Sequence, residues 1–199
     1  MIEQLAFFLA KRIFLDTPKK DIIIEENEFE IVQYGLECII NIFVPIFIIF
    51  VYSIFTKQIP TMIIWMISFL SLRNYLGGYH ASSQLSCMFI STVVGILALL
   101  ILPLMNSTYL ATKILSLTIC LFFFSIQGPV LQDETYNQTR NSLFIKGILL
   151  FLVQIILIFI TLYNNCQLGN AIFVGAGTAY ILYLIELIKR KINCNNQKP

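Results

Sequence analysis

Charge is scarce in this chain. Asp, Glu, Lys and Arg make up 12% of its 199 residues and hydrophobic residues 58%, against about 25% charged in an ordinary soluble domain. A water-soluble fold of this size has too small an interior to hide so much Ile, Leu and Phe, so that class is excluded. There is one histidine and one tryptophan. The five cysteines, Cys38, Cys87, Cys120, Cys166 and Cys194, show neither paired nor metal-ligand spacing. A disulfide framework and a zinc site are therefore both argued against. No phosphate-cradling or dinucleotide-binding glycine motif occurs, and no cofactor, metal or nucleic-acid partner is expected. No secretory signal is apparent: Met1 to Ala10 is apolar, but Lys11 and Arg12 follow it, the reverse of a signal peptide's charge order.

What the chain does have is apolar runs long enough to cross a bilayer, which takes about 20 residues. Six spans are expected, at 37–56, 59–73, 88–105, 109–127, 143–163 and 169–188. The expected fold is an all-α polytopic membrane protein in three parts. Residues 1–36 form an amphipathic cytoplasmic segment lying at the membrane surface, 37–188 the six-span domain with a loop at 74–87, and 189–199 a basic cytoplasmic tail. A solvated leader helix is the alternative for the first part. Lipid is an expected partner throughout.

The 13 basic residues set the orientation. Only Lys57 and Lys113 fall on one set of connections. Lys11, Arg12, Lys19, Lys20, Arg73, Arg140, Lys146, Lys189, Arg190, Lys191 and Lys198 fall on the other. The positive-inside tendency places both termini and the loop after the second span in the cytoplasm, where a thiol stays reduced.

That loop holds the chemistry. His80 is followed seven residues later by Cys87 and preceded by Gly77 and Gly78. A thiol with a nearby imidazole is the minimum equipment for nucleophilic attack on a carbonyl. On one unbroken helix the two would lie about 10 Å apart along the axis, whereas a base must come within about 2.6–3.2 Å of its nucleophile. The chain must therefore bend between them. The glycine pair permits a bend, and Ser82 and Ser83 are good helix N-caps. With the third span starting just after them, Cys87 falls in or just beyond its first turn, where the helix dipole favours a thiolate. The competing reading gives Cys87 a packing role and His80 an interfacial one.

The run Arg73-x4-Gly78-x-His80-Ala-x-Ser83-x3-Cys87 resembles the signature of the accessory gene regulator B (AgrB) family, membrane cysteine endopeptidases of Gram-positive bacteria that process the quorum-sensing propeptide AgrD. The resemblance extends to chain length, the amphipathic leader, the several spans and a Gly-Pro loop after the fourth span, here Gly128-Pro129. The Lys-rich stretch that often follows this proline is thin, with only Arg140 and Lys146. The resemblance implies that His80 is the general base and Cys87 the nucleophile. It also implies that an AgrD-like propeptide is cut near its C-terminal part, with a thioester acyl-enzyme that a substrate cysteine converts to a thiolactone. A homodimer is one expected assembly.

Supporting roles are read from residue type. Arg73 is either a clamp for an acidic substrate tail or a positive-inside anchor. Gly77 and Gly78 are conformational, and Ser83 is a cap. A backbone oxyanion hole at the start of the third span is compatible with this arrangement. Glu37 and Glu186 are expected to be solvated at the interface, with Glu37 alternatively orienting His80. Gln154 is expected to bond another helix, Gly175-Ala-Gly177 to pack a helix closely, and Tyr163, Tyr180 and Tyr183 to form an interfacial belt. Cys38, Cys120, Cys166 and Cys194 are read as inert. Two rival functions stand. A peptide exporter would show charged or broken helices at mid-bilayer and internal repeats, and neither is evident. A membrane scaffold would give His80 and Cys87 no special role.

Overall fold

The computed structural model describes residues 2–16, 26–77, 83–105, 110–130, 137–164 and 166–196. Every regular element among them is helical: α1 (Ile2–Asp16), α2 (Glu26–Phe55), α3 (Ile59–Leu76), α4 (Gln84–Ile101) extended by a 3₁₀ turn at Leu102–Leu104, α5 (Leu110–Gln127), α6 (Asn137–Asn164) and α7 (Cys166–Asn196). Five stretches are long and apolar enough to cross a membrane: Phe29–Phe55, Ile59–Leu76, Gln84–Leu104, Asn141–Thr161 and Gln167–Asn193. A shorter apolar helix, Ala111–Gln127, accompanies them. The chain is an all-α polytopic membrane protein.

Several helices outrun the apolar stretches that announce them. α2 starts at Glu26, so its acidic first turns and the first span form one rod, and α7 continues to Asn196. Hydropathy marks where lipid would be. Backbone hydrogen bonding carries a helix past that boundary into polar residues.

The chain divides into two compact units. One comprises Met1–Ile49 and Ala81–Thr92. Within it Phe7 of α1 meets Phe29 of α2 edge-on at 5.4 Å. Ala6 and Ala10 of α1 are buried, while Leu5, Phe8 and Ile13 stay exposed, as suits a helix resting on lipid.

The second unit comprises Phe50–His80 and Val93–Pro199, and α7 is its centre. Half of the apolar window of α7 is buried by protein, against about a fifth for α4 and α6. Helices cannot be driven together by the hydrophobic effect inside lipid, so close packing and polar contacts do the work. α3 and α7 meet where Gly175 leaves no room: a Cβ there would sit 2.7 Å from the Ser68 side chain and 2.8 Å from the Trp65 carbonyl. That approach lets Ser68 Oγ donate to the Ile172 carbonyl at 2.9 Å. Gly177 faces open space and has no such role. Gln154 of α6 donates to the Ser68 carbonyl and to Ser71 Oγ, the interhelical bond its mid-span position calls for. Lys113 of α5 is buried and donates to Asn170 Oδ1 of α7, whose Nδ2 in turn donates to the Met105 carbonyl. Phe124, Phe151, Tyr180 and Tyr183 form one ring cluster joining α5, α6 and α7.

Candidate functional site

The stretch that carries the candidate chemistry lies between α3 and α4. Residues 78–82, and with them Gly78, His80 and Ser82, fall outside the described residues. The chain on either side of them is held by different means.

α3 ends at Leu76, and Gly77 donates its N–H to the Arg73 carbonyl at 3.1 Å. Gly77 has φ 76° and ψ −179°, a region open essentially to glycine alone. A second constraint is steric: a Cβ on Gly77 would lie 2.1 Å from the Val130 carbonyl oxygen. The Gly128-Pro129-Val130 loop thus docks on the exit of α3. Val130 N–H donates to the Leu76 carbonyl at 2.9 Å, and the Tyr183 hydroxyl donates to the Gly128 carbonyl at 2.7 Å. Leu76 and Tyr183 are fully buried and Val130 nearly so. This clasp fixes where and in which direction the chain leaves α3.

Tyr183 is accordingly not part of an interfacial belt. It and Tyr180 are buried because α7 is central, and their rings pack on Phe124 and Phe151 instead of facing headgroups. The side chain of Tyr163 lies outside the described residues, as do those of Cys166 and Cys194.

α4 begins differently. Ser83 Oγ accepts the Ser86 N–H at 3.2 Å and donates to Ser86 Oγ at 2.8 Å. This is an N-cap bonding the third helical amide. The Cys87 N–H then donates to the Ser83 carbonyl at 3.1 Å, the first backbone bond of the helix. Cys87 is therefore the fourth residue of α4, half-buried, with its thiol free. The Gln84 and Leu85 amides precede that first bond and have no partner within the helix. No helix runs unbroken from α3 through Cys87.

Glu37 departs from its expected place. It is buried rather than solvated, because two amides take the place of water. Gln33 Nε2 donates to Oε1 at 3.1 Å and Gln84 Nε2 to Oε2 at 2.7 Å. Glu186, the other acid near a span end, accepts from Arg190 Nε at 3.2 Å one turn along α7. Arg73 stands in the last turn of α3, half-buried, with its guanidinium 5.7 Å from the centre of the Phe69 ring. Among the described residues no carboxylate lies within ion-pair distance of it. No group of three or more His, Cys, Asp or Glu converges as a metal cage among the described residues.

The clasp and the Glu37–Gln84 contact were not anticipated from sequence. Gly128-Pro129 was visible as the loop after the fourth span, but nothing local names Leu76 as its partner. Glu37 was conspicuous as an acid in an apolar run, and Gln84, the first residue after a cap, was not.

Fold and site together define a membrane protein of several helical spans. A break between two of them carries the lone histidine, and a free thiol follows in the first turns of the next helix. A family model for Accessory gene regulator B matches residues 4–187, nearly the whole chain. The chain belongs to that family, and membership implies a role in processing the accessory gene regulator quorum-sensing peptide. An AgrB-like protein of Clostridium beijerinckii is 26% identical over 196 residues, covering 96% of this chain and 95% of that protein. No solved structure matches.

Proposed function

We propose that the protein is a membrane-embedded cysteine endopeptidase that cuts the C-terminal part of an AgrD-like propeptide on the cytoplasmic side of the cell membrane. The observation that carries this reading is the start of α4, where a serine cap sets Cys87 on the fourth helical residue, just beyond the Gln84 and Leu85 amides that have no partner within the helix. His80, on the loop leaving the Gly77 clasp, takes the proton from Cys87 Sγ. The thiolate adds to the scissile carbonyl carbon, and unpaired amides at the start of α4 meet the oxyanion. The C–N bond then breaks, and the leaving amine takes the proton from His80. What remains is a thioester on Cys87. A cysteine thiol within the substrate attacks that thioester, the bond to Cys87 breaks, and the ring closes as a thiolactone with the proton returned through His80. One thioester replaces another, so the exchange is nearly isoenergetic. Arg73, which has no carboxylate within ion-pair distance among the described residues, holds an acidic group on the substrate.

The test is expression with the candidate propeptide. Cys87→Ser and His80→Ala should abolish cleavage while both variants remain inserted in the membrane. Normal processing by both would exclude the protease reading and return the chain to the exporter or scaffold class.

A further inference from the structure

Glu37 is a carboxylate buried in an apolar helix, a costly placement unless other donors replace water. It sits in the unit that also contains the first turns of α4. Its two oxygens have separate donors. Gln33, one turn earlier on α2, holds Oε1, and Gln84 holds Oε2 through the shorter bond, 2.7 Å. Gln84 is the first residue of α4, and Cys87 lies three residues further on. Residues three apart on a helix share a face, with Cβ atoms about 5–6 Å apart. Anchoring the Gln84 side chain therefore fixes the azimuth of the face that presents the thiol.

The Ser83 cap cannot do this by itself. It determines where α4 begins along the chain, through bonds made entirely within Ser83–Cys87. A cap leaves the helix free to roll about its own axis. Rolling the first turn by a single residue position, 100° on a helix of 3.6 residues per turn, would turn Cys87 away from any fixed base. Among the described residues, the side-chain bond that ties α4's first turn to another helix is the one to Glu37.

We propose that Glu37 is a positioning residue for Cys87, acting through Gln84: the cap sets the register of α4 and the carboxylate–amide latch sets its rotation. This assigns Glu37 to the thiol and not to the imidazole. It rests on the reading of Cys87 as the nucleophile, and the experiment separates the two.

Five proteins are compared in membranes with the propeptide: Glu37→Ala, Gln84→Ala, these two combined, Gln84→Glu, and the exchange Glu37→Gln with Gln84→Glu. The exchange restores one carboxylate facing one amide with donor and acceptor reversed, and a glutamate suits the first turn of a helix. Each single change should lower kcat on the order of tenfold to a hundredfold, as misplacing a reacting group does, with KM little changed. Combining Glu37→Ala with Gln84→Ala should add nothing further, and the exchange should recover most of the rate. The rate of Cys87 alkylation, read by mass-spectrometric mapping, should shift by one common factor in both alanine variants and return in the exchange. Unequal effects of the two alanine changes, no recovery in the exchange, or alkylation of Cys87 indifferent to every variant would overturn the latch. Alkylation reads the thiol without substrate. If Cys87→Ser still processes, the protease reading fails while the latch is still decided by labelling.

Discussion

The two borders of the His80 loop do the same job by opposite means. At the exit of α3, the chain is held from a distance: Val130 bonds Leu76, its carbonyl fills the space over Gly77, and Tyr183 holds Gly128 from α7. At the start of α4, the backbone is held locally, by Ser83 on Ser86 and Cys87. A distant clasp spreads its dependence over α5 and α7, and a cap spreads it over one turn. Damage to the first should propagate, and damage to the second should stay put.

The largest break in that comparison is at Gly77. Gly77→Ala places a methyl 2.1 Å from a backbone oxygen in a conformation that only glycine takes. The Gly128–Val130 loop must leave, and we expect loss of processing by at least about a hundredfold with a clear fall in thermal stability in detergent. Unchanged processing would show that the clasp has no bearing on His80.

Tyr183→Phe is subtler. It keeps the ring cluster and removes one buried hydrogen bond, with a cost of about 1 kcal/mol. Processing should fall several-fold, with the change in kcat, because the altered group touches the loop's departure and no substrate. Equal activity per folded molecule would reduce Tyr183 to a packing residue.

Ser83→Ala should cost about 1 kcal/mol of helix-start stability, and Ser83→Asp, an equally good cap, should recover it. Rescue by aspartate separates capping from any hydroxyl chemistry. The smallest effect belongs to α7: Gly177→Ala has open space and should be neutral, while Gly175→Ala drives a methyl into Ser68 and Trp65 and should destabilise. Similar melting temperatures for the two would contradict the close α3–α7 approach.

The contrast also explains what sequence could reveal. The cap was legible because Ser83, its bonded amides and Cys87 sit within five residues, and local chemistry decides local structure. Five of the six expected spans were legible because bilayer thickness imposes a length on apolar runs; the other is the shorter apolar helix Ala111–Gln127. Gln154 was legible because a lone amide in mid-span has to find a partner in another helix. The clasp was not, since Gly77 and Val130 carry no mark of each other. Tyr183 was misread for a related reason: a tyrosine near a span end suits a headgroup belt, and only the packing of α7 at the centre of its unit turns it inward. Glu37 followed the same course. An acid near a membrane boundary is ordinarily solvated, and the glutamine that replaces water lies in another helix.

Trapping the acyl-enzyme tests the central claim most directly. With the intact protein, the propeptide and acid quenching, mass spectrometry should find Cys87 carrying the N-terminal part of the propeptide. That bond should be labile to hydroxylamine, and the adduct should be missing in His80→Ala. Efficient cleavage with no adduct on Cys87, and the same cleavage by Cys87→Ser, would contradict it.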